Sequence, residues 1–242
     1  MGEPVAWRPM PTEEALRLLT EGEVDVEGRM PWSSNATFRV DVRHDGCERK
    51  AVYKPVRGER PLWDFPPGLH RREVAAWVLS EALGWGIVPP TVLRPDAPYG
   101  EGSLQLYVEA DFAQHYFTLQ DHEEHQRALR TICCFDLLVN NTDRKSGHCL
   151  LGLDGRIYAI DNGLCFAEDF KLRTVIWEFG GERIDEDLVA DVERTVAALP
   201  AELEELLDPD ERRALRQRGE ALVRNPVFPV DPTGRRYPWP LV

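Results

Sequence analysis

The run Ile132-Cys133-Cys134-Phe135-Asp136-Leu137-Leu138-Val139 closes a helical stretch that begins at Gln120, and its second half is apolar nearly all round. Such a helix has to be surrounded by other layers of structure. At Val139 the apolar run stops and a polar segment takes over, Asn140-Asn141-Thr142-Asp143-Arg144-Lys145-Ser146-Gly147-His148. The chain is therefore read as one built around a buried helix whose end delivers polar groups to a single place. With 242 residues it can bury a sizeable core without disulfides or structural metals.

The flanking segments show what covers that helix. A short helix opens at Pro11-Thr12, with Thr12 as its N-cap. Val24 to Gly28, Ala36 to His44 and Arg49 to Pro55 read as strands, and Asp45-Gly46 is a hairpin signal. Val56 to Gly68 is proline-rich loop. Leu69 to Leu83 has helical period and Gly84 as its stop. Leu104 to Val108 reads as a strand, Ile157 to Ile160 as another after the Asp154-Gly155 turn, and 185–224 as polar helix. The order predicts an α+β fold of two lobes. The N-lobe, residues 1–108, is strand-rich, the C-lobe, 109–242, is helical, and a cleft lies between them.

Charge excludes several functions. The sequence carries 29 Lys and Arg against 42 Asp and Glu, a net of −13, which argues against a nucleic-acid binder and against docking to an anionic membrane surface. No apolar run approaches a membrane span, and Met1 to Met10 has no signal-like segment. Cys47, Cys133, Cys134, Cys149 and Cys165 show no Cys-x-x-Cys spacing, so reduced thiols of a cytoplasmic protein are expected rather than a zinc site or a disulfide framework. The strongly acidic segment 182–220 reads as a solvated helical face.

Four positions suggest chemistry. Lys54 lies in the strand Ala51-Val52-Tyr53-Lys54-Pro55, sharing a face with Val52 and Val56, and an inward-facing ammonium needs an anion. Glu73 falls on the helical stripe of Leu69, Trp77 and Ser80, where a carboxylate calls for a cation such as Lys54. Asp143 follows the buried helix and is placed to accept a proton. Asp161, in Ala159-Ile160-Asp161-Asn162-Gly163, ends an apolar strand where a divalent cation is readily held. Each signal has a plain structural explanation. Their order is that of phosphoryl transfer: a cation for the phosphates, a glutamate to fix it, a base near the acceptor and a carboxylate for metal.

These strings resemble the phosphatidylinositol 3-/4-kinase-like family, and most of all the type II phosphatidylinositol 4-kinases and their small bacterial relatives. The matching segments are Val52-Tyr53-Lys54-Pro55, Trp85-Gly86-Ile87-Val88-Pro89, Asn141-Thr142-Asp143-Arg144 and Ala159-Ile160-Asp161-Asn162-Gly163-Leu164-Cys165-Phe166. The likeness covers roughly residues 28–180. It implies an ATP-dependent kinase that uses Mg²⁺ or Mn²⁺. Lys54 and Glu73 would serve the phosphates, Asp143 with Arg144 the catalysis, and Asp161 the metal. It also implies a phosphate-cradling turn at Ser33, Ser34 and Asn35, and an adenine edge read at Tyr107, Val108 and Glu109. His148 stands where the family has a metal-binding Asn, so His148 or Asn141 is the expected auxiliary ligand. A neutral imidazole in that role would link activity to a pH near 6.5, the ordinary histidine value. The acceptor is a hydroxyl of a protein, a soluble polyol or an inositol lipid. The alternatives are a non-catalytic nucleotide-binding scaffold module and a nucleotidyl transferase.

Overall fold

Alternation of buried and half-exposed residues along Phe38–His44 and Cys47–Pro55 turns Val40, Val42, Ala51 and Tyr53 to one side of a sheet. The computed structural model describes residues 10–31 and 35–242. It places helix α1 (Thr12–Glu21) and strands β1 (Glu23–Arg29), β2 (Phe38–His44) and β3 (Cys47–Pro55) first. Helix α2 (Leu69–Leu83) and strands β4 (Thr91–Arg94) and β5 (Gly102–Leu106) follow. The five strands form an antiparallel sheet in the order β1-β2-β3-β5-β4. Asp45 and Gly46 turn the β2–β3 hairpin with positive φ of 48° and 77°. Pro11, not Thr12, occupies the N-cap of α1, and Thr12 is its first helical residue.

The second half begins with a short helix α3 (Tyr116–Leu119) and the long α4 (Glu123–Val139). The two-stranded β6 (Cys149–Leu151) and β7 (Ile157–Ala159) follow, and then α5 (Glu186–Ala197), α6 (Leu203–Leu206) and α7 (Pro209–Arg224). From Leu129 to Val139, α4 is buried almost throughout, as its composition requires. Asn140 ends it in the left-handed region, φ 55°, a conformation Asn tolerates better than most residues.

Two apolar clusters divide the molecule. The outer face of the sheet packs Val40, Val42, Ala51, Tyr53 and Leu104 against Leu18 and Leu19 of α1. The larger cluster gathers α4 with α5 and α7, and it includes Val74, Ala75, Val78, Leu79 and Leu83 of α2. The buried apolar residues of α2 thus join the larger cluster, while the helix also packs on β4 and β5. Of the free cysteines, Cys47 is half-buried and the other four are buried. Among the described residues no helix is long and apolar enough to cross a membrane.

Candidate active site

Lys54 reaches from β3 into the space between the lobes. Its Nζ bonds Glu73 Oε1 of α2 and, at 2.8 Å, Asp161 Oδ1 just beyond β7. Glu73 is nearly inaccessible, its other oxygen accepting the Asn162 N–H at 3.0 Å. Burial opposes the Lys54 charge, but Asp161 and Glu73 outweigh it and hold the ammonium above its ordinary value. Lys54 in turn keeps Asp161 well below the usual carboxylate range. Burial raises Glu73, with Lys54 pulling the other way. The three residues, 107 positions apart at the extremes, form one charged cluster at the cleft.

The sharp turn after β7 is built for this approach. Asp161 has φ 57°, an uncommon conformation that recurs at functional positions. A Cβ on Gly163 would stand 3.2 Å from Glu73 Oε1 and 3.3 Å from Leu69 Cβ, so a side chain there would press on the residue that holds Lys54. Lys54, Glu73, Asp143, Asp161 and Gly163 line one cavity of about 60 Å³, with Asn35 and Thr37 at its edge. Asn35 Oδ1 accepts the Arg60 N–H at 3.1 Å. Ser33 and Ser34, expected to cradle phosphate, lie outside the described residues.

Asp143 sits in the loop after α4. Its N–H donates to Asn141 Oδ1 at 2.9 Å, and its carboxylate meets Lys145 Nζ at 3.1 Å. Burial pushes Asp143 up to about 6, opposed by Lys145. Such a carboxylate is ionised at neutral pH yet basic enough to share a proton.

Arg144, expected to act with Asp143 in catalysis, has its polar groups engaged inside the protein. It is fully buried. Its Nη2 lies 2.9 Å from Asp136 Oδ1 and donates to Asn162 Oδ1 at 2.7 Å, while Nη1 donates to the Ile160 carbonyl at 2.6 Å. Burial opposes its charge, and Asp136 overrides burial. Arg144 is therefore a strut joining α4, the Asp143 loop and the Asp161 turn. Asn141, expected as an auxiliary metal ligand, is buried, with Nδ2 donating to Asp136 at 3.0 Å and Oδ1 accepting from Asp143, so both ends of its amide brace the loop. Asp136 is the residue that sequence reading passed over. It is the one charge between Thr131 and Val139, and a lone carboxylate on a buried helix has to find a cation.

His148 does face Asp161, with Nε2 at 3.4 Å from Oδ2. Its Nδ1 accepts the Lys145 N–H at 3.4 Å, so the neutral ring carries its proton on Nε2, the nitrogen on the Asp161 side. Serving as a ligand through Nε2 would require the other tautomer. Burial pushes the imidazole down to about 4, against the pull of Asp161. A ring lowered in this way is already neutral at pH 6.5, so its own transition is expected below that value. NMR of the ring protons in nucleotide-free protein should show His148 titrating near pH 4. A transition at the ordinary value would contradict the shift that its partly buried placement implies.

Of the residues expected to read the adenine edge, Tyr107 and Val108 line a different cavity from Lys54. Tyr107 donates its N–H to the Lys50 carbonyl at 3.0 Å, and the Glu109 carbonyl accepts from Leu153 N–H at 2.9 Å, with Val108 between them. Tyr107 and Val108 border a larger cavity of about 320 Å³, with Trp85, Pro90 and Arg156, that shares no residue with the first.

No family model matches the chain. Protein Rv2133c of Mycobacterium tuberculosis (strain ATCC 25618 / H37Rv) is 39% identical over 263 aligned positions, covering 92% of this chain and 94% of that protein. The chain belongs to the Rv2133c family. The fold of this chain is similar to that of several solved kinases. The Golgi casein kinase with Mn/ADP bound matches with a TM-score of 0.55 at 14% identity, over 96% of this chain and 80% of that one. Hydra Fam20 with sugar gives 0.56 at 14% identity, over 88% of each chain. The Helicobacter pylori proinflammatory kinase CtkA gives 0.50 at 11% identity, over 87% and 94%. The two-lobed, kinase-like α+β architecture expected from the order of elements is the one these neighbours share.

Proposed function

We propose that the chain is an ATP-dependent phosphotransferase, moving the terminal phosphoryl group to a hydroxyl acceptor. The observation that carries the reading is the Lys54–Glu73–Asp161 cluster with Asp143 in the same cavity. Lys54 would meet the nucleotide phosphates, and Glu73 would keep it there. Asp143 would take the proton of the acceptor hydroxyl. The likeness to kinases, one solved with Mn/ADP, supports this. The strings around Asp143 and Asp161 support the narrower placement beside the phosphatidylinositol 3-/4-kinase-like enzymes. They also support a nucleotide lying between lobes that divide near residue 108.

The residues fit a divalent cation that arrives with the nucleotide. Asp161 is half-exposed and ionised, and His148 stands beside it. Among the described residues no group of three or more His, Cys, Asp or Glu gathers as a metal site, so phosphate oxygens would have to complete the shell. The ion supplies charge neutralisation on the phosphates. Lys54 now bonds Asp161 directly, and entering phosphates would come between them.

The test is mass spectrometry of lysate treated with ATP and wild-type or Asp143→Ala protein, beside a thermal-shift titration of wild type and Asp161→Ala with ATP and Mg²⁺ or Mn²⁺. New phosphate on a hydroxyl with wild type only, and metal-dependent ATP stabilisation lost in Asp161→Ala, are expected. Stabilisation without transfer would support the scaffold reading, and transferred AMP the nucleotidyl transferase. Equal stabilisation of both proteins would remove Asp161 from the site.

A further inference from the structure

The acidic C-terminal segment anchors the helix that carries Glu73. Arg72 turns away from the cleft toward α7, where its Nε donates to Glu211 Oε1 at 3.2 Å and its Nη2 donates to the same oxygen. Both side chains are buried, 5% and 8% exposed. Nη1 donates to the Pro67 carbonyl at 3.0 Å, and the guanidinium lies 5.1 Å from the centre of the Phe65 ring. Glu211 is itself fixed, because its Oε2 accepts the Asp208 N–H at 3.0 Å in the capping box of α7. The other end of α2 is held by α5. Arg194 donates to the Leu83 carbonyl at 3.3 Å and Thr195 to the Ala82 carbonyl at 3.4 Å, while Trp85 Nε1 donates to Asp191 at 3.0 Å.

Adjacent residues on a helix point about 100° apart, so the rotation that satisfies Arg72 also aims Glu73. The geometry points to Arg72 and Glu211 as a positioning pair for Glu73. From 139 positions away in the chain, Glu211 sets the rotation of α2 and so presents Glu73 to Lys54 and to the Asn162 amide. A buried ion pair is seldom a better stabiliser than packed apolar groups, whereas a forked guanidinium contact is directional. The functional consequence rests on the phosphotransferase reading; the geometric claim does not.

The Asn162 amide, bonded to Glu73 Oε2, is the reporter. The Thr142 amide, bonded to the Leu164 carbonyl, is the control. Hydrogen exchange at both would be measured in wild type, Glu211→Gln and Arg72→Lys, well below each melting midpoint, together with Mg-ATP affinity. Glu211→Gln keeps the size and removes the charge; Arg72→Lys keeps the charge and removes the fork. Faster exchange at Asn162 but not Thr142, with ATP affinity lowered about tenfold, is expected. A lower midpoint with unchanged Asn162 exchange, or with Asn162 and Thr142 loosened alike, would overturn the inference. Should Arg72→Lys not fold, Glu211→Gln alone decides. If wild type binds no nucleotide while Asn162 still loosens selectively, the positioning pair stands and the phosphotransferase reading falls.

Discussion

Lys54→Met should weaken ATP binding about 100-fold, the order expected for losing a hydrogen-bonded charge from a partly dry cleft. It should also destabilise the protein by about 3 kcal/mol, because Glu73 is left buried with only the Asn162 amide. The two effects are separable. Adding Glu73→Gln removes the orphaned charge, so the double variant should recover much of the stability and none of the nucleotide affinity. Denaturant unfolding and ATP titration of the single and double variants check this. If Lys54→Met binds ATP like wild type, Lys54 is not the phosphate contact. If the double variant is no more stable than Lys54→Met, Glu73 was not the orphan.

Arg144→Leu should be the most destabilising single change at the site, by about 4 kcal/mol, since it leaves the fully buried Asp136 charge with only the Asn141 amide and the Thr174 hydroxyl. For a chain of this length that corresponds to a fall of about 10 °C in melting midpoint. Arg144→Leu combined with Asp136→Leu should be milder than the single change, because no buried charge remains. Had Arg144 contacted the phosphate, the change would abolish transfer and leave the midpoint where it is. A midpoint within a degree or two of wild type would therefore refute the strut.

Much of the scaffold is legible from local pattern. Leu69–Leu83 has the period of a helix and Gly84 closes it in the left-handed region, as its lack of a Cβ allows. The run to Val139 is buried because no face of it is polar enough to meet water. The β2–β3 hairpin follows from Asp45-Gly46, whose backbone matches the twist of paired strands. These features depend on neighbours within a turn or two of chain. The acidic C-terminal segment was less legible. Its composition suggests a solvated face, yet Glu211 is buried against Arg72 and Asp191 receives the Trp85 indole N–H. A charge count does not record which carboxylates meet a cation across the molecule.

The order of lysine, glutamate and two aspartates along the chain was determined by sequence alone, because each stands in or shortly after a recognisable strand or helix. Tertiary structure decided which of the polar residues around them face the cleft. Arg144 and Asn141 adjoin Asp143 in sequence, but successive residues of a loop diverge, and Asp136 five and eight positions back drew both inward. His148 faces Asp161 through the Nε2 side because the Lys145 amide takes Nδ1, a choice made by backbone geometry rather than by the identity of the residue. The aim of Glu73 depends on Glu211, and only folding brings the two into one layer. Local periodicity carries the direction of a side chain within its own element. The partner that fixes it lies on another element, and the chain closes that distance only once the core has packed.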